Sequence, residues 1–472
     1  MSHAPHSGES AGSLWNHDLA PTLPSQRTWT WYHFAALWIG MVMCIPAYTL
    51  AASMITNGMS WSQAVMTVFL GNLIVLIPML LIGHAGARYG IPFAVLARAS
   101  FGTHGAKLPA LLRALVACGW YGIQTWFGGM MIYTLLGVLL GHPLEGEKIA
   151  GLGINVGQLV CFLVFWAIQF YFVVHGIESI RKLETWTAPL KILICFVLLG
   201  WVYQKAGGFG PIMEQPSQYA PGGSKAGQFM SVFWPSLTAM VGFWATLALN
   251  IPDFTRFAKS QKDHTVVIYG KALWDPVDVA SRMTGAAVLI ALIVLLIDTV
   301  SVNLAANLVG PAYDFSALAP KKISYRVGGY MTVAIAIVMM PWKILESTEG
   351  YIFTWLIGYS ALLGPIAGIL MVDYFLVRKK QLVVEDLYRE EGAYRYSNGW
   401  NWVAVAAFAL GVAPNLPGFL HAAFPAAFPN VGDFFKHAYD YAWFIGLFIA
   451  GVVYRIGMAG QVTKGAPALS KA

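Results

Sequence analysis

The sequence contains few charged residues. Only 11% of its 472 residues are Asp, Glu, Lys or Arg and 57% are hydrophobic, whereas about a quarter of the residues of an ordinary soluble protein are charged. So few charges exclude a water-exposed surface over most of the chain. Uncharged runs such as 70–82, 192–202 and 286–297 lie within stretches close to the roughly 20 residues that cross a bilayer. We therefore expect an integral membrane protein in a lipid bilayer.

The sequence also lacks the patterns of other classes. The first 28 residues contain no apolar core of a cleavable signal peptide, so the first hydrophobic segment is expected to direct insertion. The net charge of +7 is dispersed among loops, which argues against nucleic acid. There is no HExxH or GxSxG motif of an enzyme and no repeated filter of a channel. Four cysteines without disulfide or metal-ligand spacing are predicted as core residues: Cys44, Cys118, Cys161 and Cys195.

Hydropathy predicts eleven membrane-spanning helices. Six lie near 33–56, 62–84, 109–140, 155–175, 187–204 and 229–251, and five near 283–308, 327–342, 350–377, 401–419 and 437–455. This gives an all-α polytopic domain over 31–456, flanked by cytoplasmic tails at 1–30 and 457–472.

The distribution of Lys and Arg requires one more crossing. Basic residues accumulate in cytoplasmic loops, and the loops after the second, fourth and sixth spans carry Arg88, Arg98 and Lys107, then Arg181 and Lys182, then Arg256, Lys259 and Lys262. With the N-terminus inside, the later basic clusters at 321–326 and 378–380 return to the cytoplasm only if the chain crosses once between Asp263 and Arg282. The segment 264–277 is too short and too polar to span. Loop charge and hydropathy therefore differ by one helix.

Two spans carry helix-breaking residues. Gly40 and Pro46 interrupt the first, and the sixth contains Gly242 and ends near Pro252. Interrupted spans in corresponding places mark the midplane substrate site of many transporters. Ordinary proline kinks are the alternative.

An aromatic and an amide side chain share one face of the third span. Trp120 and Gln124 are one helical turn apart. A flat ring beside an amide suits a planar heterocycle, stacked by the first and hydrogen-bonded by the second, with Trp244 on the opposite face. A core or interfacial role is the alternative for either Trp.

A polar patch follows twelve apolar residues in the span from 283. Asp298 and Ser301 lie on one helical face, and Asn303 and Asn307 on another. An ionisable side chain within a membrane costs a few kcal/mol, so Asp298 is a functional candidate. The alternative is hydrogen bonding between helices.

The chain resembles the nucleobase-cation symporter 1 family of permeases for cytosine, purines, uracil, allantoin and hydantoins. The resemblance covers nearly the whole length. It rests on these ordered segments: Asn16-His17-Asp18-Leu19-Ala20-Pro21, Tyr89-Gly90-Ile91-Pro92-Phe93, Arg98-Ala99-Ser100-Phe101-Gly102, Trp120 to Trp126, Asn250-Ile251-Pro252-Asp253-Phe254, Asn303 to Asn307, Pro311 to Ser316, and Asp373 to Val377.

The resemblance implies a leucine-transporter-like fold, with two inverted five-helix repeats plus two helices. It also implies that Trp120 and Trp244 stack the substrate and that Gln124 and Asn307 are its polar contacts. Gly242-Phe243 would be an unwound part of the sixth helix. Cys44 replaces a family Gln, so the substrate preference of relatives need not apply.

The implied cation site departs from the family. Backbone carbonyls at Gly40 and Met43 and the hydroxyl of Ser301 match family ligands, but Val302 replaces a Thr. We therefore expect proton coupling through Asp298, or Na+ coupling at a weakened site, and no resident cofactor or other metal.

The resemblance also implies a missing seventh helix. Family members place an apolar helix of about 25 residues between the equivalents of Asp263 and His264, which adjoin directly here. The predicted function is secondary active import of a planar heterocycle by a monomer in the cell (inner) membrane. A polytopic channel, a membrane enzyme and a transport-impaired deletion form are the alternatives.

Overall fold

The structure, a computed structural model, describes residues 12–42, 44–175, 177–208, 213–262, 286–346 and 350–459. Seventeen α-helices in these ranges carry the fold: α1 Trp31–Val42, α2 Ile45–Thr56, α3 Trp61–Tyr89, α4 Phe93–Phe101, α5 Lys107–Leu140, α6 Val156–His175, α7 Ile177–Ala206, α8 Phe229–Thr255, α9 Ala286–Asn307, α10 Val309–Leu318, α11 Tyr325–Val338, α12 Pro341–Ile344, α13 Ile357–Met371, α14 Trp402–Val412, α15 Leu416–Ala423, α16 Asp433–Asp440 and α17 Ala442–Gly457. π-Helical turns, Gly350–Leu356 and Val372–Val377, flank α13.

Each of the eleven predicted spans falls on a helix or a helix pair. Among the described residues, seven helices are long and apolar enough to cross a membrane, or nine when two bent pairs each count as one span. The predicted spans 187–204 and 327–342 are outside that set. The first lies in the longer, partly charged α7, and the second in α11, which has 14 residues. The all-α membrane architecture is therefore confirmed.

The first span is broken where Gly40 and Pro46 predict an interruption. α1 and α2 meet at an angle of 51°. Between them Cys44 adopts an extended conformation, with φ −139° and ψ 148°. Pro46 lies in the first turn of α2, where its missing N–H costs no helical hydrogen bond. The break is thus encoded locally.

The expected unwinding at Gly242 is wrong, because α8 is a continuous helix from Phe229 to Thr255. Gly242 instead permits a close helix contact. A Cβ atom there would lie 2.1 Å from Ser360 Oγ and 2.9 Å from Leu356 O. Pro252 likewise lies inside α8 rather than at its end. The glycine therefore serves packing, and the helix continues through it without a break.

Glycines also let α3 approach α8. A Cβ on Gly86 would lie 2.3 Å from Thr255 Oγ1 and 2.6 Å from Pro252 Cα. One on Gly71 would lie 2.6 Å from Met240 Cγ. Small residues at helix interfaces are the usual means of close packing in membranes. α8 is consequently buried along most of its length.

The basic loops lie together on one face, which we call the basic face: 88–107, 256–262, 319–326 and 378–401. Tyr89 Oη donates to Lys380 O at 2.7 Å, and Arg378 Nη2 donates to Ala99 O at 2.7 Å. The N-terminal segment joins the remaining two loops. Lys259 N donates to Trp29 O at 2.8 Å, and Tyr325 N donates to Asp18 Oδ2 at 2.8 Å.

Arg98 does not behave as the loop charge that the sequence predicts. It is 1% exposed, and its Nη1 donates to the carbonyls of Leu14 and Leu387 at 3.0 and 2.9 Å. Burial lowers the pKa of Arg98 to about 10, so the guanidinium remains charged at neutral pH. Its two hydrogen bonds connect the N-terminal segment to the loop that contains Leu387.

The described residues on either side of 263–285 lie on opposite faces. α8 ends at the basic face, where Lys259 contacts Trp29. The early part of α9 lies toward the other face, since Leu292 clusters with Met131 and Leu198. Four of the predicted basic clusters thus share one face, as the charge rule requires, whereas Arg181 and Lys182 lie within α7 rather than in a loop. The predicted missing helix lies outside the described residues and stays a prediction.

Candidate functional site

Aromatic side chains of α5 and α8 meet in the interior of the helix bundle. The ring centroids of Trp120 and Phe243 are 5.1 Å apart and those of Phe243 and Trp244 are 5.0 Å apart, both edge to face. Trp120 and Trp244 are each 3% exposed. The structure therefore gathers the three predicted aromatic residues, together with Gly242 beside them in α8. Both indoles contact Phe243.

Two buried polar atoms at this cluster are suited to a ligand. Gln124 follows Trp120 by one turn of α5 and is 4% exposed. Its Oε1, like the Nε1 of Trp244, has no hydrogen-bond partner among the described residues. An unsatisfied buried group costs about 1–3 kcal/mol. An N–H donor of a ligand would satisfy the first atom, and a carbonyl oxygen would satisfy the second.

Tyr359 of α13 links the aromatic residues to the backbone of α8. Trp120 Nε1 donates to Tyr359 Oη at 3.2 Å, and Tyr359 Oη donates to Gly242 O at 2.9 Å. Sequence reasoning missed this residue. The available signal was the pair Trp355 and Tyr359, two aromatic residues one turn apart in the predicted span 350–377.

Asn307 belongs to a network of amides that joins three helices. Its Nδ2 donates to Asn303 Oδ1 at 2.9 Å. Asn303 Nδ2 in turn donates to Gln169 Oε1 on α6 at 2.7 Å and to Tyr121 O on α5 at 3.0 Å. Gln169 Nε2 donates to Thr125 Oγ1 at 3.0 Å. The predicted substrate contact is therefore oriented by Asn303.

The predicted coupling residues that the structure describes lie on α1 and α9. Asp298 and Ser301 are 5% and 0% exposed on α9, and Gly40 is buried near the end of α1. Ser301 Oγ lies 2.8 Å from Thr187 Oγ1 on α7, a hydroxyl that sequence reasoning missed. Met43 lies outside the described residues. α1 packs against both α7 and α9.

The cysteines whose side chains are described are core residues, as predicted: Cys44, Cys118 and Cys161 are buried thiols. Cys44 occupies the extended break between α1 and α2. An open apolar cavity of about 830 Å³ lies elsewhere, against Phe434, Phe435 and Phe448. None of the predicted site residues lines that cavity.

A family model matches almost the whole chain. The model describes permeases for cytosine/purines, uracil, thiamine and allantoin, and it matches residues 21–267 and 263–446. The two matched stretches overlap at 263–267, beside the junction where the sequence predicts a missing helix.

Two relatives resemble the chain along most of its length. The purine-uracil permease NCS1 of Arabidopsis thaliana is 43% identical, over 95% of this chain and 78% of that protein. The allantoin permease of Bacillus subtilis (strain 168) is 38% identical, over 96% of this chain and 94% of that protein.

A solved structure has a similar fold. It is that of Mhp1, a nucleobase-cation-symport-1 family transporter, in a closed conformation with bromovinylhydantoin bound. The two structures superimpose with a TM-score of 0.77 over 98% of each chain, at 26% identity.

Proposed function

Because this chain belongs to the family of permeases for cytosine/purines, uracil, thiamine and allantoin, we propose that it imports a planar heterocycle with adjacent N–H and carbonyl groups. It is a transporter rather than an enzyme, and its fold is that of the nucleobase-cation symporter. The observation that carries the substrate proposal is the unsatisfied Oε1 of Gln124 beside Trp120. Uracil, hydantoins, allantoin and oxidised purines offer the matching edge.

The aromatic cluster supports stacking of such a ring. Trp120 and Trp244 both present indoles in a buried site, and stacked aromatic rings are worth about 0.5–1.5 kcal/mol beyond the area that they bury. Trp244 Nε1 supplies a donor for a ring carbonyl. We place Asn307, whose amide is held by Asn303, on the opposite edge of the ring. We also assign Cys44, at the helix break, to this site.

A competition panel tests the substrate class. Uptake of radiolabelled uracil by cells that express the chain is measured against excess unlabelled uracil, hydantoin, allantoin, xanthine and cytosine, with and without Na+. We expect rings with a C=O–NH–C=O edge to compete better than cytosine, because the corresponding edge of cytosine carries an unprotonated N3, an acceptor that cannot bond to Gln124 Oε1. Equal competition by cytosine would contradict this assignment.

We assign coupling to protons through Asp298. This carboxylate is buried in α9 one turn before Ser301, and an ionisable group at that depth is rarely structural alone. Val302 contributes no oxygen ligand for Na+, which prefers oxygen donors, although Thr187 Oγ1 lies 2.8 Å from Ser301 Oγ. A Na+ site with carbonyls of Gly40 and Met43 is the alternative.

The substitution Asp298→Asn distinguishes proton coupling from Na+ coupling. With proton coupling, uptake by the wild type rises as external pH falls, and the variant loses this dependence together with most concentrative uptake. Asp433→Asn, at a carboxylate that is 86% exposed, is the matched control and retains both. Full, pH-dependent uptake by Asp298→Asn would exclude this proton route. Stimulation by Na+ alone would favour the alternative.

We propose that the basic face is cytoplasmic, with both tails on that side, and that the transporter is a monomer in the cell (inner) membrane. The segregation of Lys and Arg supports this orientation.

A transport-impaired form is the second candidate. It is supported by the overlap of the two family-model stretches at 263–267. Insertion of an apolar helix of about 25 residues after Asp263 would then raise uptake and folded yield. If the insertion produces no gain in either, the impaired form is contradicted.

A further inference from the structure

The hydroxyl of Tyr359 connects three helices at the proposed ring site. It accepts from Trp120 Nε1 on α5 at 3.2 Å and donates to Gly242 O on α8 at 2.9 Å. Tyr359 itself lies on α13 and is 4% exposed. We propose that Tyr359 is a positioning residue that sets the orientation of the Trp120 indole for substrate stacking. This inference rests on the proposed function.

The contact depends on how closely α13 approaches α8. Gly242 has no side chain, and a Cβ there would lie 2.1 Å from Ser360 Oγ. Ser360 follows Tyr359 in sequence. The close approach that packs Ser360 against Gly242 therefore also brings the Tyr359 hydroxyl within hydrogen-bond distance of the Gly242 carbonyl. A helical carbonyl oxygen has a second lone pair that can accept the hydroxyl hydrogen. The tyrosine is therefore anchored to backbone, which does not rotate.

The anchoring fixes the direction of the second hydrogen bond. A tyrosine hydroxyl has one hydrogen, and Gly242 O receives it, so the hydroxyl oxygen is left to accept. The indole N–H of Trp120 can only donate. The hydrogen bond from Trp120 Nε1 to Tyr359 Oη therefore has only one possible direction. The Nε1 edge of the Trp120 indole is directed toward α13.

Neighbouring rings pack against the Trp120 indole but do not determine which edge of the indole faces α13. Phe243 lies 5.1 Å from Trp120, and Trp355 and Tyr359 each lie 6.4 Å away, all edge to face. Such apolar contacts tolerate a rotated indole, whereas a hydrogen bond to Nε1 distinguishes its two edges. The bond from Trp120 to Tyr359 therefore supplies the orientational part of the positioning.

Loss of the hydroxyl should weaken binding rather than turnover. A preorganised ring binds more tightly because less conformational freedom is lost on binding. In Tyr359→Phe we expect KM for uracil and allantoin to rise between about twofold and tenfold, the range that corresponds to one net hydrogen bond. Vmax per folded transporter should change less than KM. The ranking of substrates should also shift, which a general loss of folded protein would not produce.

The matched control is Tyr133→Phe. Tyr133 lies on α5, the helix of Trp120, and its Oη, like that of Tyr359, donates to a backbone carbonyl, that of Leu144, at 2.5 Å, but it lies outside the aromatic cluster. We expect this variant to keep the wild-type KM and substrate ranking.

A double-mutant cycle decides the contact without substrate. Thermal unfolding of the full chain in detergent is compared for the wild type, Trp120→Phe, Tyr359→Phe and the double variant. The inference predicts that the two single effects are not additive, because both remove the same bond. Additive effects would overturn the contact.

An unchanged KM and ranking in Tyr359→Phe, with a wild type that transports, would overturn the positioning role. Failure of the wild type to take up any compound of the panel would instead overturn the proposed function, and the cycle would still decide the contact.

Discussion

At the scale of single residues, Gly242 illustrates why a motif alone does not reveal the role of a glycine. Its position in a transporter span suggests unwinding, yet α8 continues through it. The structural reason for glycine is the backbone of the facing helix, since Leu356 O would lie 2.9 Å from an added Cβ. Sequence patterns do not show which helix faces which glycine, so this role was not predictable.

Gly242→Ala tests the packing role. We expect a loss of stability of about 1–3 kcal/mol, because overpacking forces the helices apart, and a loss of uptake. Part of the stability should return in Gly242→Ala/Ser360→Ala, which removes the nearest obstructing oxygen. Melting temperature in detergent is the measurement.

Gly200→Ala is the control for helix propensity. Gly200 lies in α7, and an added Cβ would meet nothing within 4 Å. Ala is favoured over Gly in a helix by about 0.8–1.0 kcal/mol, so this variant should be at least as stable as the wild type. Equal melting temperatures for Gly242→Ala and Gly200→Ala would contradict the close contact.

At the scale of elements, the polar patch of α9 joins helices. The sequence predicted that Asn303 and Asn307 form hydrogen bonds or bind a ligand, because amides in an apolar span need partners. The partners were not predictable. Gln169 lies 134 residues from Asn303 in sequence, and the bond of 2.7 Å between them depends on the packing of α6 against α9. The hydrogen bond between Thr187 and Ser301 was also not predictable, because it depends on how α7 is positioned along α9.

Asn303→Ala tests this network. It removes the bonds to Gln169 and Tyr121 and frees the amide of Asn307. We expect a loss of about 2 kcal/mol in unfolding free energy and a raised KM for uracil. Asn72→Ala, which removes only a bond to Val68 O within α3 at 2.8 Å, should stay within about 0.5 kcal/mol of the wild type. Similar losses in both variants would show that the network has no special contribution.

At the scale of the whole molecule, short motifs that are far apart in sequence meet at the basic face. Asn16 Nδ2 donates to Ser316 Oγ at 2.8 Å, so the N-terminal segment and α10 contact each other. The all-α membrane fold followed from composition and hydropathy, because those properties are averages over many residues. The shared face followed from loop charge. The contacts that tie the loops together needed the structure.

Labelling of single cysteines tests this topology. Cysteines at Lys259, Lys322 and Lys379 should be protected from a membrane-impermeant thiol reagent in intact cells and labelled in inverted vesicles, because all three lie on the basic face. A cysteine at Glu147, in the loop after α5, should show the opposite pattern. Labelling of Lys322→Cys in intact cells would mean that the second half inserts inverted.

The most direct test of the whole account is uptake of uracil by the purified chain in proteoliposomes. With an inward proton gradient we expect saturable, concentrative uptake that collapses when an ionophore removes the gradient. Trp120→Ala should lower uptake at least tenfold, because it removes the stacking face and the bond to Tyr359. Uptake that is unsaturable and independent of proton and Na+ gradients, or that is unchanged in Trp120→Ala, would contradict the account.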